Sequence, residues 1–377
     1  MDETWWVDPS QLDPRQRQVV TADADEELLV VGPPGSGKTN ILILRANYVR
    51  GSSPRMIFLT FTRTLAEFLK SGASVGRADQ LQDSEIKTFI GWARGIIQHY
   101  GGELPDDDLP FEEMRRATIR QVQQVIDANG LCDLYDAIFI DEVQDFWRDE
   151  LNIVRRLTEK LNAAGDSRQR IWSHREGLPT ATSMVDRTIT LEHHYRIGEH
   201  ICSYADQIYP RAEGAAPLMD GCNYDEGLRP SSVTIVSSQS REESYAECIR
   251  RIKAQVRYIS DEPIAIVTCR SATRDQFWEV LRTDPELSGR SIIQRSSQYT
   301  GFGPESQIRL MTIHSAKGSE CRAVHILDAD CFYDGNKELA FTAVTRAKTE
   351  VLVYHIGRLI GYMVPPSDEA PSFENAF

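Results

Sequence analysis

The run Gly32 to Thr39, GPPGSGKT, constrains this chain more than any other stretch. It fits G-x-x-x-x-G-K-[ST], a spacing that wraps a glycine-rich loop around an anion and feeds it into a helix N-terminus. The flanks agree with that reading. Leu28 to Val31 is short, apolar and β-branched, as a buried strand is, and Ile41, Ile43, Leu44 and Ala46 recur at helical spacing. The loop of Gly32, Pro33, Pro34, Gly35, Ser36 and Gly37 would cradle a phosphate chain, with Lys38 at the β- and γ-phosphates and the Thr39 hydroxyl on Mg²⁺. ATP and Mg²⁺ are therefore the expected ligands.

The 377 residues suggest two or three domains, and 41% hydrophobic with 26% charged residues is a globular composition. A net charge of −14 excludes a generally basic nucleic-acid coat but leaves room for a local basic groove. The opening MDETWWVDPS has no apolar signal core, and no apolar run reaches membrane-spanning length, so a cytoplasmic protein with no membrane partner is expected. The seven Cys include no C-x-x-C pair, so reduced thiols are expected rather than a disulfide framework or a zinc site.

Further elements follow in order. Leu12 to Val20 reads as a helix, capped by Asp13 and begun by Pro14, and Gln16 lies on it. Met56 to Thr60 (MIFLT) is a strand that turns into a helix over Phe61 to Lys70. Phe111 to Asn129 is a helix stopped by Gly130, within a small helical insertion over about residues 98–136. Ala137 to Ile140 (AIFI) is a third strand, and it runs into Asp141-Glu142-Val143-Gln144-Asp145. Ligands of open α/β sheets bind at the carboxyl ends of strands, so Asp141 is expected to hold Mg²⁺ and Glu142 to orient or deprotonate the attacking water. Val233–Val236, Ile264–Thr268, Arg309–Ile313, Ala323–Leu327 and Glu350–Tyr354 read as strands, with an amphipathic helix over Glu242–Val256. Strands alternating with helices in both halves imply an α/β fold with two parallel-sheet units. The expected division is 1–190 and 191–364, with a disordered acidic tail over 365–377.

The motifs in their order resemble the UvrD/Rep type of superfamily-one DNA helicases, over Leu12 to about Tyr354. Leu12-Asp13-x-x-Gln16 resembles the adenine-reading motif, GPPGSGKT the first motif, and Arg45 the arginine of the following helix. LTFTRTLAEF (59–68) and IKTF (86–89) resemble the two segments that contact single-stranded DNA, and DEVQD (141–145) the DE-x-QD box. Gly165-Asp166-x-x-Gln169-x-Ile171-Trp172, Tyr195-Arg196, MTIHSAKGSE (311–320) and VTRA (344–347) match later motifs. The resemblance implies two tandem RecA-like P-loop domains that hydrolyse ATP between them. It gives Gln169 to the γ-phosphate, Arg196 and Arg346 the role of arginine fingers, and Glu320 to the ribose, while Gln16 and Arg45 join the ATP-binding set. It gives single-stranded DNA to Thr60, Phe61, Thr62, Thr88, Phe89, Trp172 and His314, with the aromatics stacking on bases.

The chain departs from the family in several places. Ile90 stands where a His is usual, His194 where an Asn is usual, and the strand before Gly165 (LNAA) is weak. Only about 40 residues separate Cys269 from Leu310, so the family's large insertion there is essentially absent. The leading expectation is an ATP-dependent single-strand DNA translocase or helicase, moving 3′ to 5′ as the family does. The alternative is a nucleic-acid-sensing regulatory ATPase that activates a partner nuclease, similar to the helicase-like component of Gabija-type phage-defence systems. A partner nuclease or self-assembly is expected in either case.

Overall fold

Two six-stranded sheets, each built only of parallel pairings, carry the structure, a computed structural model that describes residues 9–73, 80–106, 108–172, 175–210, 216–260, 262–295 and 306–365. The expected disordered tail lies, Pro365 apart, outside the described residues. The chain divides into two units, Met1–Glu192 and His193–Phe377.

In the first unit the strands are β1 (Leu28–Val31), β2 (Met56–Thr60), β3 (Ile86–Thr88), β4 (Ala137–Ile140), β5 (Leu161–Gly165) and β6 (Arg187–Thr190), in the order β3-β2-β4-β5-β1-β6. The helices are α1 (Pro14–Val20), α2 (Lys38–Val49), α3 (Arg63–Ala73), α4 (Phe89–His99), α5 (Phe111–Asn129), α6 (Arg148–Arg156) and α7 (Gly177–Thr182). Alternate residues of each strand feed opposite faces. Leu29, Ile57, Leu59, Ile138 and Ile140 pack with Trp92, Ile97, Val122, Ile126 and Val154 of α4, α5 and α6. Leu28, Val30, Phe58 and Phe139 pack instead with Val19, Ile41, Ala46 and Leu69 of α1, α2 and α3. A parallel sheet covered on both faces explains why β1, β2 and β4 read as unbroken apolar runs.

β5 is the weak LNAAG run. Five buried residues form a strand there because β1 and β4 pair with it on either side. Tertiary pairing overrides its low β-propensity.

The second unit holds β7 (Ser232–Ser237), β8 (Ile264–Thr268), β9 (Ser291–Ile293), β10 (Ile308–Thr312), β11 (Cys321–Leu327) and β12 (Ala347–His355), in the order β7-β12-β11-β8-β10-β9. Helices α8 (Glu199–Ile208), α11 (Ile313–Ala316) and α12 (Lys337–Val344) cover one face, α9 (Arg241–Gln255) and α10 (Ser271–Leu281) the other. Both units are α/β domains of the RecA-like kind. No helix among the described residues is long and apolar enough to cross a membrane.

The cysteine expectation needs correction: Cys269 and Cys331 form a disulfide, 62 residues apart. Register explains the encounter. Thr268 pairs with Leu327 across β8 and β11, so both chains leave the sheet at adjacent points.

Candidate nucleotide site

Register also assembles the first unit's site. Val31 lies opposite Gly165 and Ile140 opposite Ala163, so Gly32, Asp141 and Asp166 leave β1, β4 and β5 at one edge of the sheet. The glycine loop closes there and starts α2. Gly35 and Gly37 have φ of 80° and 79°, a left-handed conformation that glycine adopts without steric cost. Gln16, third residue of a capping box with Asp13, donates its side-chain N–H to the Ser36 carbonyl at 3.1 Å, which fastens α1 to the loop. Lys38 Nζ donates to the Gly32 and Pro33 carbonyls at 2.9 and 2.8 Å, so its charge sits over the loop mouth.

Thr39 Oγ1 donates to Asp141 Oδ2 at 2.6 Å. Burial, and then the charge of Glu142, push the Asp141 carboxyl up to about 7. Hydroxyl and carboxylate oxygens side by side are a donor set suited to a hard cation such as Mg²⁺. A cation there would also offset the cost of burying the ionised Asp141.

Glu142 has a φ of 55°, rare outside glycine and found where surrounding structure enforces it. Its carboxylate accepts from Gln144 Nε2. Gln144 Oε1 accepts from the Asp166 N–H at 3.1 Å, and Asp166 Oδ2 accepts from Gln169 Nε2 at 2.9 Å. A continuous polar chain thus runs Glu142–Gln144–Asp166–Gln169 and joins the ends of β4 and β5. Gly165 makes room for it, since a Cβ there would come within 2.7 Å of Gln144 Oε1. Gln144 and Asp166 were not among the expected site residues, although both stood in the motifs that carried the resemblance.

Arg45 does not join this site. It lies about 10 Å along α2 from Lys38 at 1.5 Å per residue, and its fully buried guanidinium donates to the carbonyls of Ala22, Asp23 and Glu26. Those carbonyls precede β1, at the end of the strand away from the glycine loop. Arg45 ties down that entry loop, away from the glycine loop to which the resemblance assigns it.

The expected DNA-contacting residues fall into two groups. Thr62 and Thr88 follow β2 and end β3, each accepting a hydrogen bond from the helix it starts (Leu65 N–H at 3.2 Å, Gly91 N–H at 3.1 Å). Trp172 and, in the second unit, His314 are half-buried. Thr60, Phe61 and Phe89 are buried. Phe89 packs on Trp92 and Phe146. Phe61 lies 5.5 Å from Trp172 between ring centroids, with the Arg115 guanidinium 4.3 Å over its ring. Arg115 in turn pairs with buried Glu150 at 2.6 Å. Rings covered this way, Phe61 and Phe89, would stack on a base only if these contacts opened.

In the second unit Arg196 forms an ion pair with Glu320. Burial pulls the Arg196 guanidinium below its ordinary value, with Glu320 opposing and Arg346 adding to the drop. Arg346 Nε donates to the Thr342 carbonyl at 3.1 Å. Arg196, Glu320 and Arg346, far apart in sequence, therefore share one locality. Burial and nearby Lys317 lower the His314 imidazole, in that order.

A glycine loop, a strand-end Asp-Glu pair and a parallel sheet covered on both faces define a P-loop protein with two RecA-like domains. Residues 16–175 match the AAA domain family, and residues 307–354 match the UvrD-like helicase C-terminal domain. Both matches agree with the resemblance to UvrD-like superfamily-one helicases. No curated protein matches it. Among solved structures it is similar to the PRRSV helicase, at 15% identity and a TM-score of 0.39, over 90% of this chain and 54% of that one. The chain thus spans about half the length of that helicase. The AAA match supports nucleotide binding by the first unit.

Proposed function

We propose that the protein is an ATP-driven translocase or helicase on single-stranded DNA, with 3′ to 5′ movement. The carrying observation is the polar chain that links the glycine loop, Asp141, Glu142 and Gln169 along one sheet edge. Lys38 binds the β- and γ-phosphates, and Thr39 and Asp141 hold Mg²⁺, which supplies charge neutralisation on the phosphates. The Glu142 carboxylate accepts the proton of the attacking water, and Gln144 fixes its orientation. Gln169, held by Asp166, reads the γ-phosphate. Arg196 and Arg346 keep the role of arginine fingers, and Glu320 that of the ribose contact. Thr62, Thr88, Trp172 and His314 remain the proposed strand contacts.

The short Cys269–Leu310 interval supports a second reading, a regulatory ATPase that senses nucleic acid and activates a partner nuclease. ATP hydrolysis measured with single-stranded DNA, duplex DNA and RNA, beside strand displacement on a tailed duplex, separates the two. Stimulation by single strands with efficient unwinding supports a helicase. Stimulation without unwinding, together with co-purification of a nuclease, supports the regulator. No response to any nucleic acid refutes both.

A further inference from the structure

Three thiol and imidazole groups of the second unit converge outside the residues assigned to ATP. His194 and Cys202 are fully buried and Cys222 is half-buried. Cys202 Sγ lies 3.9 Å from Cys222 Sγ and 3.6 Å from His194 Nε2, and all three donor atoms lie within 4.8 Å of one another. We propose that His194, Cys202 and Cys222 bind one borderline-soft divalent cation of the Zn²⁺ type.

Two of the three donor–donor distances already match the chemistry, and the third lies within 4.8 Å. A tetrahedral zinc with Zn–S of ~2.3 Å and Zn–N of ~2.1 Å sets S···S and S···N edges of roughly 3.8 and 3.6 Å. Three separate segments bring the ligands there. His194 and Cys222 face each other across a parallel bridge, in which His194 N–H donates to the Gly221 carbonyl and Asn223 N–H to the His194 carbonyl, both at 2.9 Å. Cys202 comes from the first turn of α8. The ligands are spaced 8 and 20 residues apart, which no short metal motif describes, so the sequence alone did not reveal them.

Without metal, both sulfurs hydrogen-bond the Ile197 carbonyl at 3.5 Å, and His194 Nε2 bonds the Leu218 carbonyl at 2.9 Å. On binding, each thiol gives its proton to solvent, the His194 proton passes from Nε2, where it bonds the Leu218 carbonyl, to Nδ1, and the two thiolates cancel the charge of the cation. A neutral cluster is what a buried site tolerates. The half-exposed side at Cys222 lets water fill the fourth position. The cation would pin the segment that carries Tyr195 and Arg196, which follow His194 directly. This site does not depend on the ATPase reading and is tested without ATP.

The test is titration of the full-length protein, its Cys269–Cys331 disulfide intact, with Co²⁺, followed by Zn²⁺ competition. The expected result is one Co²⁺ per chain, thiolate-to-cobalt charge-transfer absorption, displacement by one Zn²⁺, and a Zn²⁺-dependent rise in melting temperature. Loss of an outer-shell partner already costs about 10–100-fold in affinity, so Cys222→Ser should weaken binding at least tenfold. Because Cys222 is half-buried, that variant should keep the fold. Cys132→Ser, at an exposed cysteine, should bind as the parent does. Absence of the charge-transfer band, or equal binding by Cys222→Ser and the parent, overturns the proposal.

Discussion

The Thr39 hydroxyl donates to the Asp141 carboxylate at 2.6 Å across 102 residues of sequence. That bond joins the start of α2 to the end of β4 and brings together the two side chains best suited to hold Mg²⁺. The expected ATP site therefore has a geometric centre in the first unit.

Replacing Lys38 tests the phosphate grip. Lys38→Ala removes the charge that stands over the loop mouth between the Gly32 and Pro33 carbonyls. ATP turnover should fall to background, while stability in urea drops only by the loss of two part-buried hydrogen bonds to loop carbonyls. Turnover at the parental rate would show that phosphate is held elsewhere.

Asp141 makes a pH prediction. Its carboxyl is raised from 3.8 to about 7, chiefly by burial. A raised carboxyl stabilises the fold fully below the lower value, and that contribution is lost as pH rises through the upper one. Without nucleotide and Mg²⁺, stability should therefore decline between about pH 4 and pH 7 and then level off. Asp141→Asn should remove that slope and gain on the order of 2–4 kcal/mol at pH 8, while losing Mg²⁺-dependent turnover. Chemical denaturation across pH checks it, and identical slopes for variant and parent would contradict it.

The buried Arg115–Glu150 pair lies under α5, with Arg115 over Phe61. Removing either partner strands a charge in the core. Arg115→Ala or Glu150→Ala should cost about 3–5 kcal/mol in urea, and an apolar replacement of both together should recover much of it. Additive losses in the double variant would deny the coupling.

Two aromatics should now part company. Phe61→Ala opens a core cavity and should cost about 3–5 kcal/mol. Trp172, half-buried beside it, should lose little stability on Trp172→Ala but reduce stimulation by single-stranded DNA more than basal hydrolysis. Melting temperature and stimulated ATPase activity, measured together, separate the two outcomes. Equal loss of basal and stimulated turnover in Trp172→Ala would make it a packing residue as well.

The glycine loop, β1, β2, β4, β8 and helix α5 were legible because their signals are local: an apolar run, a cap, a stop glycine. α5 begins and ends at the residues read from the sequence, Phe111 and Asn129, with Gly130 in the left-handed conformation. β6 (RTIT) was missed because only its pairing with β1 makes it a strand. Arg45 and Phe61 matched motif positions, but where a side chain ends depends on what packs around it. The loop before β1 claims the Arg45 guanidinium, and Arg115, near the N-terminus of α5, covers Phe61. The Cys269–Cys331 disulfide depends on strand order, which no spacing in the sequence encodes.

Steady-state ATP hydrolysis by the parent and Glu142→Gln, with and without single-stranded DNA, tests the account most directly. The parent should be stimulated by single strands, and the stimulation should weaken as salt rises. Glu142→Gln should still bind ATP yet lose about 10²–10⁴ in turnover, the usual contribution of a general base. Parental turnover in Glu142→Gln, or hydrolysis indifferent to single-stranded DNA, would contradict the assignment.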